Sequence, residues 1–302
     1  MHRVGQEFHG KRYSYTITDI HVVGGQAQIL HAQTRRGECV VIKVPLPHCL
    51  RTKRSHEQLR RETRFLRRLT DIGTPGVVAY IDHGTWKNNP FLACQLLIGR
   101  TLEAVFMEGP VPLIKSLRWL ISLCNTVEMM HRSGIVHADL SARNVMICDD
   151  TPVIIDLGIS REVHEPMTHA GSIGYLPPEI LMAMHCPTEE HTLLKDGGRS
   201  QDTYALGILL YEMLTGRPPF RIGETAVNPW YAMAYQHMSV DPPPVALEYL
   251  TDRTARKVNR LIQGMLAKDP DKRLSLNRVK VLAKDILQRL GTSMSPRSLT
   301  RC

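Results

Sequence analysis

The sequence lacks any long hydrophobic run. No apolar stretch in its 302 residues approaches the roughly 18 that a membrane-spanning helix needs. The first residues, MHRVGQEFHGKRYSYT, also lack the apolar stretch of a secretory signal. We therefore expect a cytoplasmic protein without a membrane partner.

Closely spaced cysteines are absent as well. The seven cysteines are scattered and odd in number, and no two form a C-x-x-C pair. This pattern argues against a disulfide framework and against a zinc knuckle. Reduced and mostly buried thiols are the favoured interpretation.

Acidic residues are fewer than basic ones, and the net charge is +9. The densest basic run is 51–68, RTKRSHEQLRRETRFLRR, with eight Arg and Lys against two Glu. No series of aromatic residues is interleaved there to stack bases, which argues against nucleic acid. A solvated basic helix face is favoured, and a docking surface for an acidic or phosphorylated partner is the next alternative.

The chain divides into two parts with different secondary-structure patterns, and no repeat of 20–50 residues is visible. Residues 13–96 contain β-branched runs with one helix near 54–70. From about residue 101 onward, helical patterns dominate. A buried helix is predicted through DTYALGILLYEMLTG, ending at Gly216. We expect an α+β protein with a small β-rich part and a larger helical part.

Lys43 lies in the apolar strand pattern VVIKV, where burying an ammonium is costly unless an anion meets it. In the following helix Glu62 shares one face with Leu59, Leu66 and Leu69. A carboxylate on an inward face needs a cation, and Lys43 is the nearest candidate. An edge strand with Lys43 in water is the alternative if each residue is taken alone.

Three further polar residues flank short apolar strands. Asp139 and Asn144 lie in HADLSARN (137–144), and Asp156 follows the apolar run VII. Asp156 is either a turn residue or a ligand for a hard metal ion, and Asn144 can share that ion through its amide oxygen. Asp139 can then accept a proton from an attacking hydroxyl.

These five residues, in this order, resemble the eukaryotic-type (Hanks) protein kinase family, and the resemblance extends over residues 13–290. It is closest to bacterial Ser/Thr kinases. The segments that carry it further are EGP (108–110), GSIGYLPPE (171–179), SQDTYALGILLYEMLTGRPPF (200–220), AYQHMSVDPPP (234–244) and DPDKRLS (269–275), whose Arg273 would pair with Glu179.

The resemblance implies a bilobal catalytic domain over 13–290, with an N-lobe at about 13–96, a C-lobe at about 97–290 and a polar tail at 291–302. It also implies ATP as substrate and Mg²⁺ or Mn²⁺ as cofactor. The implied roles are Lys43 for the α- and β-phosphates, Glu62 for fixing Lys43, Asp139 as base, and Asn144 and Asp156 as metal ligands.

The nucleotide site departs from the family pattern at its glycine-rich loop. The loop falls on VVGGQAQI (22–29), where Val22 replaces the first Gly and Ala27 the third, while Gly24 and Gly25 remain. An ordinary hairpin turn is the alternative for these glycines. The other implied nucleotide contacts are Ile29, Val41 and, in the hinge ACQLLIG (93–99), Cys94, Gln95 and Leu97.

The catalytic loop departs from the pattern at two positions. Ala138 replaces an Arg that pairs with a phosphorylated activation segment in many members, so we expect activity without that phosphate; replacing Thr168 and Ser172 would test this. Ser141 replaces the Lys of Ser/Thr kinases, and Arg143 could supply the missing charge. Ser172 favours Ser/Thr over Tyr as the acceptor.

The leading hypothesis is an active protein kinase with protein substrates. The rival is a pseudokinase that binds nucleotide or partners without catalysis, which Val22, Ala138 and Ser141 favour. The presence of all five catalytic positions argues against the rival.

The long connection 180–201, with His185, Cys186 and His191, lacks a fourth ligand for a metal and is expected to be a partner-contacting insertion.

Overall fold

The chain forms two compact units. A computed structural model describes residues 2–21, 27–46, 53–166, 171–185, 195–222, 228–247 and 250–293. The first unit is Met1–Gly99 with Val153–Ser160, and the second is Arg100–Pro152 with Arg161–Cys302. The first is built on a β-sheet and the second on helices, which confirms the predicted α+β class.

A six-stranded sheet forms the first unit, with antiparallel neighbours in the order β1-β2-β3-β4-β6-β5. Strand β4 alternates, so Val40, Ile42 and Val44 join a hydrophobic core while Val41 and Lys43 lie on the other face. The strands are β1 Glu7–His9, β2 Ser14–His21, β3 Ala27–Thr34, β4 Cys39–Pro45, β5 Tyr80–Trp86 and β6 Asn89–Gln95.

One long helix, α1 (Lys53–Asp71), packs against strands β4, β5 and β6. Its inward face carries Leu59, Leu66 and Leu69 together with Glu62, all buried. These positions recur at steps of three and four residues, as an amphipathic helix requires. The predicted helix near 54–70 is therefore present, with Glu62 turned inward.

The N-terminal segment is fastened to the sheet by a buried carboxylate. Asp82 has no exposed surface and accepts hydrogen bonds from the Arg12 N–H (2.9 Å), the Tyr13 N–H (3.1 Å) and the Tyr15 hydroxyl (3.1 Å). A Cβ on Gly10 would come within 2.1 Å of an Asp82 oxygen, so this position requires glycine. Strand β1 thus lies ahead of residue 13, where the catalytic domain was predicted to begin; that boundary stays a prediction.

The second unit is organised around α5 (Arg199–Thr215), which is buried along almost its whole length. It ends at Gly216 with φ +67°, as the sequence predicted. Helix α3 (Leu113–Arg132) packs against α5 and against α8. The remaining helices of the described ranges are α2 Leu102–Phe106, α4 Pro178–His185, α6 Pro229–Ser239, α7 Asp252–Met265 and α8 Leu276–Ser293, with 3₁₀ turns at Ile173–Tyr175 and Pro270–Lys272.

Short strands bracket the loop 137–144. Strand β8 (Ile135–Val136) precedes it and pairs with β11 (Arg161–Glu162), and β9 (Val145–Cys148) follows it. Strand β9 lies between β7 (Arg100–Thr101) and β10 (Thr151–Ile154). The loop is therefore held at both ends by strand pairing. Within the described ranges, every helix is too short or too polar to cross a membrane.

Candidate active site

Lys43 is held by two carboxylates in the first unit. Its Nζ lies 2.8 Å from Glu62 Oε1 and 3.0 Å from Asp156 Oδ1. Glu62 is almost fully buried, and its Oε1 also accepts a hydrogen bond from the Leu157 N–H at 3.4 Å. The structure therefore brings together three of the five predicted catalytic residues.

The electrostatics of this group favour a charged lysine. Burial alone would lower the pKa of Lys43, but Asp156 and Glu62 raise it above its ordinary value. Burial also raises the pKa of Glu62, and the attraction of Lys43 opposes that rise. Lys43 is thus a largely buried ammonium at neutral pH, with 14% of its side chain exposed.

Three of the residues predicted to contact the nucleotide share the Lys43 face of the sheet. In the strand register Ile29 lies opposite Lys43, and Val41 lies opposite Cys94. Residues paired across an antiparallel ladder point to the same face, as do Val41 and Lys43 along β4. Cys94 is buried, which raises the pKa of its thiol.

Other predicted nucleotide contacts are less defined. Gln95, at the end of β6, is exposed, and Leu97 is half-buried in the segment that follows. Val22, Gly24 and Gly25 lie outside the described residues, so the predicted glycine-rich loop stays a prediction.

In the second unit, Asp139 and Asn144 are joined directly. The Asn144 Nδ2 donates to the Asp139 main-chain oxygen (2.8 Å) and to Asp139 Oδ2 (3.1 Å). The other carboxylate oxygen of Asp139 accepts from the Ser172 N–H at 2.8 Å. A small pocket opens here, with Ser172 and Tyr175 among its lining residues. The Asp139 carboxylate is therefore oriented from both sides before any substrate binds.

The loop that carries Asp139 is anchored by Asp202, at the start of α5. Its carboxylate accepts from the His137 N–H and the Ala138 N–H, each at 2.9 Å, and lies 2.8 Å from His131 Nε2. Burial alone would raise the pKa of Asp202, but the His131 hydrogen bond contributes to a net decrease. Ala138 adopts φ +68°, a conformation that exposes both N–H groups to this one acceptor.

Ser141 and Arg143 have different structural settings in the loop. Ser141 is buried, so it does not present a side chain to solvent in place of the family Lys. The Arg143 side chain is 77% exposed, and its Nε lies 3.1 Å from Glu103 Oε1. Arg143 therefore carries its charge at the surface of the loop, paired with a carboxylate of helix α2.

A second anchor of the loop was not predicted from the sequence. The Tyr175 hydroxyl donates to Glu212 Oε2 at 2.6 Å and accepts from the Ala142 N–H at 3.3 Å. Burial raises the pKa of Glu212 to about 7. Tyr175 thus links the segment after Ser172, the catalytic loop and helix α5.

The expected contact between Arg273 and Glu179 is present as a bidentate pair. Arg273 Nη1 lies 2.7 Å from one Glu179 oxygen, and Nη2 lies 2.9 Å from the other. The Arg273 side chain is fully buried and also donates to the Ser200 carbonyl. This pair fixes the start of α4 against the start of α5.

The predicted metal ligands belong to different units, Asn144 to the second and Asp156 to the first. Asp156 is 39% exposed, which suits a carboxylate that meets a cation from solvent. No cluster of three or more His, Cys, Asp or Glu suited to a metal occurs within the described ranges. In the connection 180–201, Cys186 and His191 lie outside those ranges.

The sequence matches the family model for the protein kinase domain over residues 23–288, and the chain belongs to this family. It is 29% identical to the serine/threonine-protein kinase PknB of Mycobacterium leprae, over 86% of this chain and 40% of that protein. It is 31% identical to a probable serine/threonine-protein kinase of Streptomyces coelicolor, over 83% of this chain and 36% of that protein. The chain therefore spans about two fifths of the length of these relatives.

Proposed function

We propose that this chain is an ATP-dependent protein kinase that phosphorylates Ser or Thr hydroxyls of proteins, including its own, in the cytoplasm, where ATP is available. One observation carries the proposal: the Lys43 ammonium lies within 3.0 Å of both Glu62 and Asp156. Keeping two carboxylates around one largely buried lysine is costly unless the group has a function. Binding phosphate oxygens beside a metal-binding Asp is that task in a phosphotransferase.

In the proposed reaction, the substrate hydroxyl oxygen attacks the γ-phosphorus of ATP while the bond from that phosphorus to the β-phosphate oxygen breaks. Asp139 accepts the hydroxyl proton, and ADP leaves with the electron pair of the broken bond. Lys43 holds the α- and β-phosphates, and Glu62 fixes Lys43. Asn144 and Asp156 would hold Mg²⁺ or Mn²⁺, which neutralises phosphate charge when bound.

Ser/Thr is the proposed acceptor class. The relatives are named serine/threonine-protein kinases, and Ser172 donates its N–H to Asp139, next to the proposed acceptor position. Arg143, exposed at the loop surface, supplies positive charge where Ser141 cannot. Its pairing with Glu103 limits that charge until a phosphate competes for it.

Phosphotransfer with labelled ATP tests the proposal. The wild type is incubated with Mg²⁺ or Mn²⁺ and a generic protein substrate, beside Asp139→Asn and Lys43→Met. Matched controls are Asp149→Asn and Lys284→Met, which change exposed residues of the same types. We expect transfer by the wild type and both controls, loss in both site variants, and phosphate on Ser or Thr by mass spectrometry.

Absence of transfer by a folded wild type with either metal would refute the proposal and favour the pseudokinase. Transfer that survives in Asp139→Asn would refute the assignment of the base. Phosphate on Tyr alone would refute the acceptor class while leaving the kinase assignment intact.

A further inference from the structure

The outward face of α1 carries a row of arginines, Arg60, Arg64, Arg67 and Arg68, here called the arginine face. All four are exposed. They recur at steps of four and three, and the row from Arg60 to Arg68 is about 12 Å long at 1.5 Å per residue. From residue 54 to 71 the exposed residues are all charged: Arg54, Glu57, Arg60, Arg64, Arg67, Arg68 and Asp71.

Nearby carboxylates of the first unit do not neutralise the positive charge of the arginine face. Arg67 lies 3.7 Å from Asp71, and both side chains are more than half exposed. Within the described part of the first unit, no carboxylate lies within 4.0 Å of Arg60, Arg64 or Arg68. Like charges four residues apart repel one another, and the first turn of α1 carries no acidic residue. These two effects oppose formation of the helix, whereas Arg68 in its last turn is favourable to the helix dipole.

Positive charge continues beyond the helix. Burial is the main cause of a lowered pKa at His83, and Lys11, Arg67 and Arg12 lower it further, against the opposing charge of Asp82. The Arg12 guanidinium lies 5.9 Å from the centre of the Tyr80 ring. Lys11 and Arg12, in the turn that precedes β2, and Arg67 of α1 thus all act on His83, so further positive charge lies near the arginine face.

We propose that the arginine face is a docking site for an acidic polypeptide segment. Guanidinium groups pair with carboxylates through two parallel hydrogen bonds, and a face of about 12 Å spans roughly four residues of an extended chain. The described exposed residues of α1 include no aromatic ring to stack a base and no apolar side chain to enter a bilayer. Charge complementarity selects an anionic partner, and the lack of exposed aromatic and apolar side chains on the described part of α1 favours an acidic protein over nucleic acid or a membrane.

Docking would affect the candidate active site through Glu62, which projects from the opposite side of α1 and contacts Lys43. A bound anion relieves the repulsion along α1 and stabilises the helix that positions Glu62 against Lys43. We expect an acidic segment to raise the rate of phosphotransfer severalfold. This coupling rests on the proposed function, whereas the binding does not.

Binding is measured first, without nucleotide, by the fluorescence anisotropy of a labelled oligo-glutamate peptide added to the full chain. The test variant is Arg60→Gln/Arg64→Gln/Arg68→Gln, and the matched control is Arg253→Gln/Arg256→Gln/Arg260→Gln on α7, where the three arginines are also exposed. Both variants lower the net charge equally. We expect Kd to rise about tenfold in the test variant alone, since three exposed ion pairs of modest strength are lost.

Equal loss in both variants, or no binding to the wild type, would overturn the proposal. Tighter binding of single-stranded RNA or of vesicles rich in phosphatidylserine would overturn it in favour of those partners. The labelled-ATP assay is then repeated with the peptide. Binding without phosphotransfer by any variant would refute the proposed function and keep the docking site, and transfer unaffected by bound peptide would refute the coupling to Glu62.

Discussion

The two units hold the carboxylates of the candidate site in different ways. In the first unit, Glu62 and Asp156 share one cation, Lys43, and each accepts one main-chain N–H as well, from Leu157 and Gly158 respectively. In the second, Asp139 and Asp202 are held mainly by main-chain N–H groups of Ser172, His137 and Ala138. The arrangement around Lys43 depends on the ionisation of its members. The arrangement around Asp139 and Asp202 depends on the local path of the main chain.

This difference predicts where substitutions affect stability and where they affect rate. Removing one carboxylate from the first group leaves Lys43 with one remaining partner. The fold should therefore survive, but the position of Lys43 should change. Removing the acceptor from the second group leaves buried N–H groups without a partner, which destabilises the fold itself. The following predictions separate the two cases, from the largest expected effect to the smallest.

Asp202→Asn is expected to lower the free energy of unfolding by about 3 kcal/mol, because a buried charged acceptor of two N–H groups is lost and an amide N–H₂ faces donors instead. Urea denaturation measures the change. Asp252→Asn, an exposed substitution at the start of α7, is the control and should cost less than about 1 kcal/mol. Similar values for the two variants would contradict the role of Asp202 as an anchor.

Glu62→Gln is expected to slow phosphotransfer roughly tenfold to a hundredfold, the equivalent of one charge-assisted hydrogen bond. The melting temperature should change little, since Lys43 keeps Asp156. The matched control is Glu57→Gln, on the exposed side of the same helix. Loss of folding without a specific loss of rate would mean that the first group is structural rather than catalytic.

Glu212 provides a pH test of the second unit. Because burial raises its pKa to about 7, the folded state binds a proton more tightly than the unfolded state does. Its contribution to stability is therefore fully present below the ordinary carboxyl pKa near 4.3 and is lost as the pH rises through about 7. Denaturation of wild type and Glu212→Gln at pH 5 and pH 8 measures this contribution.

Relative to wild type, Glu212→Gln should gain roughly 2–3 kcal/mol in free energy of unfolding between pH 5 and pH 8, since the amide does not titrate. Tyr175 and Glu103 are the ionisable groups that face Glu212, and neither changes in this variant. Parallel pH profiles for the two proteins would contradict a raised pKa at Glu212.

Much of the first group was predictable because it depends on patterns within single elements. An acid on the apolar face of a helix and a lysine in an apolar strand each stand out, and each needs the other. The anchors of the second unit gave no such signal. Asp202 begins a helix like many other acids, and its partners His137 and Ala138 lie far away in the chain. Glu212 lies within a helix that is buried on most sides, so periodicity does not mark it.

Strand β1 shows another limit of sequence reasoning. Three residues are too few to show an alternating pattern, and only the fold reveals that Phe8 is fully buried. The resemblance to the family supported the prediction only from about residue 13 onward. The place of the segment before residue 13, which contains β1 and Phe8, is set by its packing on the sheet, and the sequence alone did not indicate this.

The buried Asp82 has a practical meaning for anyone who trims this chain. Cutting immediately before Tyr13 would remove Phe8 from the core and the Arg12 N–H from the carboxylate. The shortened protein would keep every proposed catalytic residue and yet expose a gap in its sheet beside a buried charge with fewer donors. Expression boundaries for this protein are best placed ahead of Glu7.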